Sequence, residues 1–140
     1  MSAFDDLLAF QRQTEALSSV AERLGWDQET VMPRGATEQR AEEMAAMEAV
    51  LHERRTDPRI GEWLDQAVPE DAEDARILEL IARDHQRATR IPARLATELA
   101  RQTSLAQGIW AEARAKDAPA DFLPVLNDIL MLKREEAAAL

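Results

Sequence analysis

The chain has 140 residues, 17 Lys and Arg against 27 Asp and Glu for a formal charge of -10, and no Cys. That length sets one compact domain, residues 1–140, able to bury roughly 70% of its unfolded surface. The missing thiols exclude a disulfide scaffold, a Cys-ligated metal site and a cysteine nucleophile.

A hydrophobic fraction of 46% excludes a disordered acidic chain, and no apolar run approaches the ~20 residues of a membrane span. The acidic balance opposes nucleic acid, which would approach against the field of the whole molecule. The first residues lack the basic and apolar regions of a secretory signal, so the expected compartment is the cytoplasm. Richness in Ala, Leu, Glu and Arg with 4% aromatics predicts an all-α fold of about five to six helices. Periodicity leaves open whether they form an antiparallel array or a bundle.

Ser2 caps a first helix carrying Leu7, Phe10, Leu17, Val20, Ala21 and Leu24 inward, with Thr14 as a polar interruption. Gly25 is expected to stop it. The aperiodic stretch from Trp26 to Gly35 then reads as an ordered connection, with Trp26 and Met32 packed as core. A second helix is expected from a Thr37 cap to Arg55, with Met44, Met47, Val50 and Leu51 inside. Asp57-Pro58 opens a short third helix through Trp63 and Leu64 to about Ala67. Asp71 or a neighbour starts a fourth, bearing Ile77, Leu78, Ile81, His85 and Ala88 on one side. Pro92 marks a boundary or kink. The fifth helix carries Leu95, Leu99, Ala106, Ile109, Trp110 and Ala113 to about Lys116, and a last one follows Asp117-Ala118-Pro119 with Phe122, Leu126, Ile129, Leu130 and Lys133 in register. The residues Leu132 to Leu140 contain no helix stop, which predicts a chain cut from a longer protein.

His52-Glu53-Arg54-Arg55-Thr56 begins like the zinc motif H-E-x-x-H, which needs His at i and i+4 to present two nitrogens to a metal. Thr56 stands where the second His is required. His52 is therefore read as a helix-end group near C-terminal carbonyls, and His85 as a satisfied core or boundary histidine of the fourth helix. Arg83, Arg87, Arg90, Arg94 and Arg101 share one face if the helix continues through Pro92. Glu62 to Glu79 holds seven acids and one base, so the stripe is expected to face that segment or water rather than phosphates.

Leu24-Gly25-Trp26-Asp27-Gln28-Glu29-Thr30-Val31-Met32-Pro33, followed by Arg40-Ala41-Glu42 and Leu51-His52-Glu53, resembles the N-terminal signature of the carboxypeptidase Taq family. Ile91-Pro92, Trp110 with Ala113 and Arg114, and Leu132 to Glu136 follow that family's order. The resemblance implies a mostly helical, cytoplasmic, usually homodimeric metallocarboxypeptidase that removes C-terminal amino acids from peptides with zinc or cobalt. It also implies that the metal helix and the groups gripping the substrate lie beyond Leu140, so no catalytic or metal ligand is carried onto this chain. A metal lowers the pKa of bound water from about 15.7 to about 7, and the 140 residues alone are expected to lack that chemistry and to be inactive. Trp26, Asp27, Thr30, Met32 and Pro33 form the signature stretch. They either shape the helix connection, with Asp27 bonding loop amides, or line the substrate entrance of the complete enzyme. A free-standing helical interaction or dimerisation module without activity is the alternative reading.

Overall fold

Side-chain caps set three of the six α-helix starts in the computed structural model, which describes residues 2–140. Helix α1 (Ala3–Thr30) opens at Ser2, whose Oγ accepts from the Asp5 amide while the Asp5 carboxylate accepts from the Ser2 amide. A 3-10 turn at Arg34–Ala36 leads to α2 (Thr37–Arg55), and Asp57 with Pro58 starts α3 (Pro58–Gln66). Asp71 caps α4 (Ala72–Arg90), Pro92 precedes α5 (Ala93–Ala115), and a second 3-10 turn at Pro119–Asp121 leads to α6 (Leu123–Ala139). The fold is all-α, with no strand among the described residues.

Two boundaries differ from the sequence reading. Thr37 is the first residue of α2 rather than its cap, and its Oγ1 donates back to the Arg34 carbonyl at 3.0 Å. Gly25 does not stop α1, which runs on through Trp26 to Thr30. Its φ is not positive, and a Cβ built there meets nothing within 4 Å. The left-handed stop instead sits after α5, at Asp117 with φ 50°. There the Ala118 amide donates to the Ala113 carbonyl and the Asp117 amide to that of Arg114, a Schellman closure. Opposite substitutions should therefore both stabilise. Gly25→Ala should gain about 0.5–1 kcal/mol from helix propensity, and Asp117→Gly about 1 kcal/mol by relieving a left-handed non-glycine residue. Urea unfolding of the two variants checks both signs.

The central pair is α2 against α5, with α1 on α2, α6 on α5, and α3 between α1 and α4. Small residues let the central helices approach: Ala41 and Ala45 of α2 and Ala106 and Ala113 of α5 are buried. At Gly108 an added Cβ would lie 2.9 Å from Thr37 Cγ2. Leu51 is buried as expected, but Met44 and Met47 are only half-buried and Val50 is exposed, so Ala41 and Ala45 together with Leu51 make the inner face of α2. Leu7, Phe10 and Ile60 form a core with Trp63, Leu64, Leu78 and Ile81 packed against it.

Thr14 is buried yet fully used: it donates to the Phe10 carbonyl and accepts from Arg54 Nε at 2.9 Å. Arg54 also donates to the Phe10 carbonyl, and its guanidinium lies 4.1 Å from the Phe10 ring centre. The arginine stripe is broken at Ile91–Pro92, where α4 ends. Arg83, Arg87 and Arg90 stay on α4, while Arg94 pairs with Glu135 and Arg101 with Glu42 and Glu98. None of those partners lies in the acidic segment from Glu62 to Glu79.

Candidate functional site

The signature residues gather at the corner between α1 and α2. Trp26, Asp27 and Thr30 occupy the last turns of α1, and only Met32 and Pro33 belong to the connection itself. The Thr30 hydroxyl donates to the Trp26 carbonyl at 2.7 Å, and the Asp27 carbonyl accepts the amides of both Val31 and Met32. Pro33 is extended and precedes the 3-10 turn, whose Ala36 amide returns to the Pro33 carbonyl. Trp26 is not core. It remains 62% exposed because α1 continues as a regular helix and places residue 26 on its outer side.

Arg40 organises this corner. Its side chain is 11% exposed and donates to Asp27 Oδ2 at 2.5 Å, to Glu43 Oε2 at 2.8 Å and to the Leu24 carbonyl. The hydrogen bond to Asp27 is the main reason its guanidinium is held more firmly protonated than usual, against the cost of burial. The Asp27 carboxylate thus serves α2, while its own carbonyl serves the connection. Next in sequence, Ala41 is buried and Glu42 binds Arg101 of α5 through two contacts of 2.8 and 3.2 Å. A second tie joins α1 to α5: Gln28 Nε2 donates to the Ser104 carbonyl and the Ser104 hydroxyl donates to Gln28 Oε1. Both partners in Asp27–Arg40 stand in the signature, but their pairing needs the fold, and nothing in the spacing marks Ser104.

The two histidines are committed to helix packing. His52 Nε2 donates to the Ile91 carbonyl at 2.7 Å, tying α2 to the end of α4, and His85 Nδ1 donates to the Arg55 carbonyl at 2.9 Å. Thr56 Oγ1 donates to the His52 carbonyl at 2.8 Å. No group of three or more His, Asp or Glu able to hold a metal occurs among the described residues. These side chains do not fit a catalytic zinc, which needs three convergent ligands and an open position.

Between α2, α4, α5 and α6 lies a cavity of about 340 Å³ whose walls include Glu48, His52, Arg55, Ile91, Leu99 and Lys133. Burial pushes the Glu48 carboxyl up, opposed by the charges of Arg55 and His52 on the same helix. Lys133 and Glu136 face it from α6, one of each sign. A carboxyl raised in the folded state gives no penalty when protonated in both states. The penalty grows as pH rises from the unfolded value, about 4.3, and is complete above the folded one. Glu48→Gln should therefore be at least as stable as the parent at pH 7. The advantage should vanish on acidification below that unfolded value, as read by urea midpoints at the two pH values. Asp57 and Glu98 behave oppositely, held low chiefly by Arg59 and by Gln102 respectively. Their contribution is present above the unfolded value and is lost as pH falls through the folded one.

Comparison with known proteins places this corner in a family. The family model described as carboxypeptidase Taq (M32) metallopeptidase matches residues 6–140. Thermostable carboxypeptidase 1 of Thermus thermophilus is 41% identical over 145 residues, covering 99% of this chain and 28% of that protein. The protein of the same name from Pyrococcus furiosus is 28% identical over 134 residues, covering 94% and 27%. A solved Pyrococcus furiosus carboxypeptidase, in its Apo-Mg form, matches with a TM-score of 0.74 at 26% identity, covering 100% of this chain and 29% of its own. The chain therefore spans somewhat over a quarter of the length of the relatives it matches.

Proposed function

The chain belongs to the carboxypeptidase Taq (M32) metallopeptidase family, and from that premise we propose that residues 1–140 are the N-terminal helical domain of a longer peptide hydrolase. In this reading the whole protein is cytoplasmic and homodimeric. It removes C-terminal amino acids from peptides and holds zinc or cobalt on residues outside this chain. The observation that carries the reading is that the family model matches residues 6–140 while the alignment with a relative 41% identical, over 99% of this chain, takes up only 28% of that relative. The two histidines stand on different helices, α2 and α4, and no group of three or more His, Asp or Glu converges among the described residues, which supports placing the metal elsewhere.

Surface composition supports a covered face. Trp26, Val31, Trp110 and Leu123 are exposed, and Trp110 and Leu123 border one groove of about 310 Å³ together with Phe122 and Arg114. Large apolar groups grouped at a surface mark an interaction site. The remainder of the same polypeptide is the proposed occupant.

Incubating the 140-residue chain with zinc or cobalt and a blocked dipeptide is expected to release no terminal amino acid. Reading the coding sequence past Leu140 is expected to find H-E-x-x-H, and the polypeptide so extended is expected to release it. Metal-dependent release by the 140 residues alone would overturn the proposal. The signature residues Trp26, Asp27, Thr30, Met32 and Pro33 are proposed to shape the α1–α2 corner rather than contact substrate. In the extended polypeptide, Asp27→Asn should lower turnover only in step with stability. A loss of turnover at unchanged stability would place Asp27 at the substrate entrance.

A further inference from the structure

The cavity between α2, α4, α5 and α6, about 340 Å³, lies within the size range of small-molecule sites, roughly 300–1,000 Å³. Its charged groups come as two couples, each confined to one helix. On α6, Lys133 Nζ donates to Glu136 Oε2 at 2.8 Å. On α2, Glu48 and Arg55 approach only to 3.4 and 3.5 Å, and Glu48 has no other hydrogen bond. The Glu48 side chain is nevertheless only 25% exposed. It is thus a carboxylate largely removed from water with no short donor, which is costly unless a cation arrives to meet it. The lining from the end of α4 and from α5 is aliphatic apart from Thr103 and includes Ile91 and Leu99.

Two carboxylates, two cations and an aliphatic wall select for both charge and shape. A ligand of one sign would set one member of each couple against its like. A zwitterion with an apolar branch meets all three features. We propose that this cavity binds a free α-amino acid with an aliphatic side chain. Its ammonium lies on Glu48, its carboxylate on Arg55 and Lys133, and its side chain against Ile91 and Leu99. The inference concerns these residues alone and stands whether or not the polypeptide continues to a metal centre.

The probe is L-leucine, titrated into the 140-residue chain and followed by amide chemical shifts in the NMR spectrum. A saturable shift of residues around Glu48, Leu99 and Lys133 is expected. L-leucinamide and 4-methylpentanoate, which each keep one of the two charges, should bind at least about tenfold more weakly, since each loses a charge-assisted contact. Glu48→Gln and Lys133→Gln should each weaken L-leucine by about tenfold as well. Lys133 is exposed on α6, so its variant and the two analogues decide the matter independently of the Glu48 variant. The proposal is overturned by an absence of saturable shift in a chain that melts cooperatively. Equal affinity for the three compounds, or unchanged affinity in the Lys133 variant, overturns it too.

Discussion

Leu95→Ala is expected to destabilise the chain by about 2–5 kcal/mol. Leu95 lies in the first turns of α5, the helix that packs on both α2 and α6, and it is 0% exposed. Truncation removes the transfer free energy of three buried carbons and leaves a void that the surrounding helices fill only in part. Collapse is hindered here because α5 is pinned on two sides. Arg101 ties it to Glu42 of α2, and Arg94 ties it to Glu135 of α6. Against a total stability of about 5–15 kcal/mol for a domain of this kind, the loss is a large fraction of the whole. The measurement is the urea midpoint at unchanged slope. Leu123→Ala is the matching control, because Leu123 is 59% exposed and its loss should cost within about 0.5 kcal/mol. A Leu95 variant as stable as the Leu123 variant would mean that the core is not centred on α5.

How much of this was legible in the sequence depends on what each signal reports. Ser2, Asp57-Pro58, Asp71 and Ile91-Pro92 marked real boundaries because capping and proline act on the local backbone, whatever the tertiary packing. Gly25 misled because glycine permits a left-handed stop without requiring one. The continuing helix gained bonds from the Asp27 carbonyl to Val31 and Met32, while Asp117 accepted the left-handed position elsewhere. The inner face of α2 is legible at Leu51, which is buried, and is missed at the other positions for a different reason. Hydrophobicity favours Met44, Met47 and Val50, but close approach of α5 favours Ala41 and Ala45, and helix separation cannot be read from one helix. The signature string pointed correctly to the family, and all of Asp27, Arg40 and Glu42 stood in it. Their pairings did not, because Asp27 to Arg40 spans a helix corner and Glu42 to Arg101 spans two helices.

Arg40→Met should cost about 1–3 kcal/mol, the second-largest loss expected, because it strands three acceptors at once. The mostly buried guanidinium serves Asp27, Glu43 and the Leu24 carbonyl, and no neutral side chain of similar length replaces three directed donors. The figure is kept below that for breaking a fully buried ion pair, about 3–5 kcal/mol, because Asp27 and Glu43 are 37% and 39% exposed and recover water when released. Arg40→Lys should recover only part of the loss, since one ammonium cannot span acceptors on α1 and α2 in the planar geometry of the fork. Asp27→Asn should cost less than Arg40→Met, as the amide oxygen still accepts from Arg40 and only the charge is gone. A double-mutant cycle between Asp27→Asn and Arg40→Met isolates the pair, with a coupling of about 0.5–2 kcal/mol expected. Additive losses would detach Asp27 from the corner and leave its place in the signature to be explained by contact with something outside these 140 residues.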